Sequence, residues 1–323
     1  MTAPRALVTG AGGFVGQWLC RALLGAGWDV TGTTIGPAPA PGVIDADAFA
    51  RIQWRGIDLR PGVDRRTMGG LLERVRPDAI FHLAAIAFVP AAGADPMRAL
   101  DSNVSASVQL LDALRLQRMA GGLDPTLLIV GSAEQYGRHD GPDPLTEQAE
   151  LLPRTFYAAT KCAQETFALS AVRSSGLKVV ATRSFNHSGR GQSAEFLLPS
   201  LVRRAVAARA HPDAPVPIGN VEPVRDFLHV EDVVAAYIAL VGRGRPGEVY
   251  NVCSSVGVTV GAVAAEVLAR AGVTGPLVVD DALRRAVDVP FLVGDNSKLR
   301  ADTGWAPTRS RAAIIDDLLN AAS

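Results

Sequence analysis

Tyr157 and Lys161 stand four residues apart in the run Tyr157-Ala158-Ala159-Thr160-Lys161, the spacing that places both on one face of a helix. A free tyrosine, with a pKa of about 10, is a poor base at neutral pH. A neighbouring ammonium favours the phenolate and lowers that value. Such a phenol can take a proton from a carbinol, or return one to a ketone, while hydride passes to or from a nicotinamide. Ser132, which follows the preceding apolar run, can hydrogen-bond the same oxygen. Alone, a Y-x-x-x-K pair is more often a solvated helix face than a site. Here a second feature accompanies it.

That feature is Gly10-Ala11-Gly12-Gly13-Phe14-Val15-Gly16, between the first apolar run and the first helical stretch. Read as G-x-x-G-x-x-G, its glycines allow a tight turn, close approach of backbone to a pyrophosphate, and close helix–strand packing. The helix start then offers free N–H groups and a positive dipole end to the phosphates. At the end of the second strand, Thr31-Gly32-Thr33-Thr34 is neither the acid that would hold a ribose 2′-hydroxyl nor an Arg for a 2′-phosphate. With no acid to repel a phosphate, NADP(H) is favoured, and NAD(H) is the alternative. Asp58, at the end of the third strand, either meets the adenine amino group or caps the strand end.

Alternating strands and helices must position these groups. Arg5–Thr9, Trp28–Thr33, Ile52–Leu59, Asp78–Ala84, Thr126–Val130 and Lys178–Arg183 read as strands. Between them, Gln17–Leu24, a stretch ending at Leu71–Arg76, Asn103–Arg118 and Thr155–Ser175 (closed by Gly176) read as helices. This order predicts an α/β Rossmann-type, doubly wound parallel sheet. After Asn186 the alternation loosens, which predicts a smaller C-terminal substrate-binding domain, while Glu248–Cys253 still reads as a strand of the main sheet. The domains then interleave: residues 1–185 plus about 226–254 for the dinucleotide, about 186–225 plus 255–323 for the substrate.

Composition excludes other classes. Lys plus Arg equals Asp plus Glu at 32 each, so no global field recruits nucleic acid or an anionic membrane, and any anion site must be local. Cys20, Cys162 and Cys253 are far apart with no C-x-x-C spacing, and no metal is expected from them or from the histidines. Met1 to Arg5 lead straight into a strand with no signal-like segment, and every long apolar run is broken; the expected location is the cytoplasm.

The parts resemble, in this order and over nearly the whole chain, the extended short-chain dehydrogenase/reductase family, nucleotide-sugar type. They are TGAGGFVG, HLAA (His82–Ala85), GSAEQYG (Gly131–Gly137), YAATK, RSFNHSGRGQ (Arg183–Gln192), VRDFLHVEDV (Val224–Val233), VYNVCS (Val249–Ser254) and DNSKLRADTGW (Asp295–Trp305). The four later stretches are similar to GDP-4-keto-6-deoxy-D-mannose reductases and, more distantly, to GDP-mannose 4,6-dehydratases. The resemblance implies a Ser132–Tyr157–Lys161 catalytic triad. It implies a nicotinamide cofactor against Gly10, Gly13, Phe14, Val15, Gly16, Asp58, Leu59, Leu83, Ala84 and Ala85, and a GDP-linked sugar against Asn186, Arg225 and Arg285. Arginine suits a diphosphate because its donors come paired. Arg284 adjoins Arg285, so either could face the ligand, and Arg225 could instead pair with Asp226 or Asp232.

Glu134 bears on the reaction. A 4,6-dehydratase of this family places a second acid/base two residues past its Ser, whereas a reductase needs only the tyrosine and external reduced cofactor. Glu134 fits both. Ala133, the shorter chain and the lack of a Gln-Asp pair in the glycine turn favour the reductase. A non-catalytic dinucleotide sensor would need the turn but not the Tyr157–Lys161 pair. Family members often pair through two long helices, which implies a homodimer through Asn103–Arg118 and Thr155–Ser175.

Overall fold

The computed structural model describes residues 2–40, 42–59, 65–139, 141–284 and 289–322. Its strands are β1 (Arg5–Thr9), β2 (Asp29–Thr34), β3 (Gln53–Gly56), β4 (Ala79–His82), β5 (Thr126–Ser132), β6 (Val179–Ser184), β7 (Asn186–Ser188), β8 (Val216–Ile218), β9 (Val224–His229), β10 (Val249–Val252), β11 (Gly257–Thr259), β12 (Leu277–Val279) and β13 (Phe291–Leu292). The helices that matter here are α1 (Phe14–Gly25), α2 (Ala46–Arg51), α3 (Arg65–Val75), α4 (Val89–Ala94), α5 (Pro96–Leu100), α6 (Ala106–Met119), α7 (Phe156–Ser175), α8 (Leu197–Ala208), α9 (Val230–Arg243), α10 (Val260–Ala271), α11 (Ser297–Thr303) and α12 (Arg311–Ala322).

Seven parallel strands form the main sheet in the order β10-β6-β5-β4-β1-β2-β3. Every residue of β4 and β6 is buried, because helices cover both faces. On one face Trp18, Leu19 and Leu23 of α1 pack with Val233, Tyr237 and Leu240 of α9. On the other, Leu71 and Leu72 of α3 pack with Leu110, Leu111 and Leu114 of α6 and Ala168 of α7. From β1 the chain winds one way through β2 and β3, then crosses to β4 and winds the other way. The switch lies between β1 and β4, where an open α/β sheet leaves a crevice at its strand C-termini.

A second lobe sits over that edge. There β7, β11 and β13 flank β9, β8 pairs with β12, and Leu201, Val202, Val263, Val267, Ile314 and Ile315 of α8, α10 and α12 share a separate core. Between these parts the chain returns through α9 to add β10 beside β6.

Several boundaries differ from the sequence reading. β3 ends at Gly56, whose partner Thr34 is the last residue of β2, its only neighbour in the sheet among the described residues; Asp58 and Leu59 follow past the strand's end. The first helix begins at Phe14 rather than Gln17, and β5 runs on to Ser132, which pairs with Ser184. The stretch Asn103–Arg118 is not one regular helix. Asp101–Ser105 forms a π-turn before α6, and the Asn103 side chain there accepts from Ile86 N at 2.8 Å. α7 ends as read, on left-handed Gly176. Among the described residues no helix is long and apolar enough to cross a membrane, and no cluster of His, Cys, Asp or Glu could hold a metal ion.

Candidate active site

A cleft of about 670 Å³ opens at the C-terminal ends of β1, β4, β5 and β6, under the second lobe. Its floor is the glycine turn. Gly10 has φ +69°, and a Cβ there would lie 2.8 Å from Ala84 N; a Cβ on Gly16 would lie 2.3 Å from Gly10 O. Gly13 caps α1 with no side-chain hydrogen bond, and the first turn carries no acid, so its amides face the cleft with nothing to repel an anion. These features fit a dinucleotide pyrophosphate. Phe14, Val15, Leu83, Ala84 and Ala85 line the same wall. Asp58 and Leu59 do not, and Leu59 is instead buried in the core with Met68 and Leu71.

Ser132, Glu134, Tyr157 and Lys161 converge on the cleft. Ser132 ends β5 and caps the short 3₁₀ turn Ala133–Tyr136, its hydroxyl accepting from Glu134 N at 3.2 Å and its own N–H donating to Gln135 Oε1 at 2.9 Å. α7 starts on a Thr155 cap and turns Tyr157 and Lys161 inward. Burial pushes the Tyr157 phenol up to about 12; a hydrogen bond with Ser132 works against this, and the Glu134 charge adds to it. Burial brings Lys161 down to about 7. Its ammonium donates to Val130 O at 2.8 Å and Gln164 Oε1 at 2.9 Å. The expected fall of the tyrosine value beside the ammonium is therefore reversed: loss of water around the phenol outweighs its neighbours, and Tyr157 stays protonated.

The profile of the GDP-mannose 4,6 dehydratase family matches residues 7–318, nearly the whole chain and all of this site. The chain belongs to that family. It is an extended short-chain dehydrogenase/reductase of the nucleotide-sugar type. The chain is similar to the GDP-6-deoxy-D-mannose reductase of Pseudomonas aeruginosa, 34% identical over 247 residues, which are 75% of this chain and 80% of that protein. It is similar to the dTDP-glucose 4,6-dehydratase of Streptomyces griseus, 31% identical over 93% of this chain and 88% of that one. The structure of RMD from Pseudomonas aeruginosa complexed with NADPH superposes with TM-score 0.80 at 30% identity, covering 99% of each chain.

In this family member the distal cleft wall comes from the second lobe. Asn186 and Arg225 line it. Arg225 does not take the Asp226 or Asp232 carboxylate as its ion-pair partner. Asp226 accepts from Ser254 N, Ser254 Oγ and Ser255 N, and Asp232 from Thr308 and Arg309. Arg285 lies outside the described residues; Arg284 is exposed, pairs with Asp281 at 2.8 Å and is not part of the wall. The sequence reading missed Phe88 and Phe196, whose rings meet edge-on at 5.6 Å across the cleft, and Arg204 of α8. None sits in a recognisable motif. Only the presence of an aromatic just after HLAA hints at Phe88.

Behind the 3₁₀ turn a buried polar network holds Ser132 in place. Gln135 donates to Glu165 at 2.8 Å, Glu165 pairs with Arg183, and Arg183 donates to the Tyr136 hydroxyl at 3.1 Å. That hydroxyl in turn donates to Asn251 Oδ1 of β10 at 2.6 Å. Four elements far apart in sequence thus fix the position of Ser132 at the cleft.

Proposed function

We propose that this chain reduces the C4 ketone of GDP-4-keto-6-deoxy-D-mannose to a GDP-6-deoxyhexose. A reduced nicotinamide dinucleotide bound on the glycine turn supplies the hydride. Tyr157 gives its proton to the oxygen as the ketone becomes an alcohol, Ser132 steadies that oxygen, and Lys161 tunes the phenol from one helical turn away. The observation that carries this reading is the convergence of Ser132, Tyr157 and Lys161 on one cleft with the glycine turn, which sets a buried phenol where a carbonyl oxygen beside the nicotinamide could take its proton. Similarity to a GDP-6-deoxy-D-mannose reductase supports the same direction.

The finer assignments follow from the same frame. The acid-free end of β2 and the likeness to a structure holding NADPH favour NADP(H) over NAD(H). Residues 1–185 plus about 226–254 would hold the dinucleotide, and about 186–225 plus 255–323 the sugar nucleotide, with Asn186 and Arg225 toward its diphosphate. Phe156 and Phe167 of α7 and Leu116 and Met119 of α6 are exposed apolar residues, which suits pairing of two chains through α6 and α7. Light scattering tests this: Phe167→Lys should halve the mass if that face joins a dimer.

A GDP-mannose 4,6-dehydratase is the second reading, because Glu134 reaches the cleft and its charge acts on Tyr157. One assay separates them. GDP-mannose alone is offered first, then its 4-keto-6-deoxy product with NADPH. Consumption of NADPH only with the ketone supports the reductase. Loss of water from GDP-mannose with no net cofactor use would overturn it, and silence in both with cofactor still bound would point to a sensor.

A further inference from the structure

Lys161 is one end of an unbroken buried chain of hydrogen bonds that none of the proposed chemistry uses. Its ammonium donates to Gln164 Oε1 at 2.9 Å, and Gln164 Nε2 donates to Ser107 Oγ at 2.7 Å. Ser107 Oγ also meets His82 Nε2 at 2.9 Å, and His82 Nδ1 meets Thr9 Oγ1 at 2.7 Å. Thr9 Oγ1 finally accepts from Ala84 N at 3.3 Å, in the wall of the dinucleotide cleft. Thr9, His82, Ser107 and Gln164 are all buried.

The direction of every bond follows from one fact: below pH 7, where Lys161 carries its charge, the ammonium has donors and no acceptor. Gln164 must therefore turn its oxygen to Lys161 and its nitrogen to Ser107. The single Ser107 hydroxyl proton goes to Asn103 O at 2.8 Å, a carbonyl that can only accept. His82 must then donate from Nε2, which leaves Nδ1 bare, so Thr9 donates to it and accepts from Ala84. An amide does not take up and pass on a proton, so the chain orients groups and carries no proton between its ends.

We propose that Gln164 is a positioning residue, holding the Lys161 ammonium at the catalytic cleft, and that Ser107 and His82 brace it against the strands bearing the glycine turn. One consequence is that the geometry beside Tyr157 and the backbone at Ala84 are tied together from opposite sides of the cofactor space. The proposal rests on the catalytic role given to Lys161 above.

Two measurements test it. At pH 6, where Lys161 is charged and His82 neutral, nitrogen NMR of the protein labelled in His and Lys should show His82 protonated at Nε2 and bare at Nδ1, with a slowly exchanging Lys161 ammonium. In Gln164→Met, the Lys161 signal should be lost to exchange and the His82 Nε2 resonance should move; unchanged signals, or a His82 protonated at Nδ1, would overturn the proposal. Kinetically, Gln164→Met should lower kcat about tenfold with the ketone KM kept within about twofold, and Gln164→Glu, which retains the acceptor, should recover part of the loss. Unaltered kcat in Gln164→Met would also overturn it. A wild-type protein that reduces no ketone would sink the functional reading alone, since the NMR arm still decides the chain.

Discussion

Glu165 and Arg183 form a forked ion pair in the interior, with Arg183 Nη2 2.7 Å from Glu165 Oε1 and Arg183 Nε 3.0 Å from Oε2. Both side chains are less than a tenth exposed, at 7% and 6%. Through Gln135 this pair stands two hydrogen bonds from Ser132. Glu165→Leu leaves the guanidinium buried without its partner and should cost about 3–5 kcal/mol of stability. Urea denaturation checks this; a loss below about 1 kcal/mol would mean that water reaches Arg183.

Tyr157→Phe removes the proposed proton donor and little else, because the ring keeps its place among Ala92 and Ala99. Ketone reduction should fall at least about a hundredfold. NADPH affinity, followed by fluorescence, should stay within about threefold. A parallel loss of cofactor binding would show that the variant had disturbed the cleft.

Glu134→Gln distinguishes the two chemistries. A reductase should lose less than about threefold in kcat with the ketone, whereas a dehydratase deprived of its second acid/base should lose about a hundredfold or more with GDP-mannose. Removing the charge should also let the Tyr157 phenol titrate somewhat lower, because Glu134 helps to hold it up.

Gly16→Ala would set a methyl 2.3 Å from Gly10 O and 2.7 Å from Ala11 Cα. Both are backbone atoms of the turn, so the helix must move away from the strand. Dinucleotide binding should be lost, with destabilisation of about 1–3 kcal/mol. Titration calorimetry with NADPH, beside a thermal melt, separates the two effects.

Lys161 and His82 each contribute a rise of stability with pH in its own window, opposed between about pH 4 and 6 by Asp226, whose carboxyl is raised by burial to about 6. Lys161 falls from its ordinary 10.5 to about 7 on folding. Between those values the unfolded chain binds more protons than the folded one, so raising the pH favours folding. His82 falls from 6.5 to about 3, mainly through burial and then the Lys161 charge, so stability is lost as pH drops from 6.5 toward 3. Lys161→Met should flatten the upper slope and shorten the lower one slightly, because the Lys161 charge supplies part of the His82 shift. Urea midpoints across both ranges provide the check, and an unchanged upper slope in Lys161→Met would refute the assignment.

Much of the site was legible in the residues themselves, because the rules that place it are local. A four-residue spacing set Tyr157 and Lys161 on one face, a Thr155 cap and Gly176 stop bounded their helix, and three glycines after an apolar strand made the turn. The sheet was legible for a similar reason: strands buried on both faces read as apolar runs.

What a side chain's chemistry becomes depends instead on who surrounds it, and that only the tertiary structure decided. The direction of the Tyr157 shift turned on exclusion of water, to which spacing along the chain is blind. Leu59, just past the end of β3, went to the core with Met68 and Leu71. Asp226 went to Ser254 and Ser255, and Gln164 met Ser107 and through it His82, across separations of tens of residues. Backbone preferences act over a turn or two of chain; burial and hydrogen-bond partnership are settled only when distant elements pack.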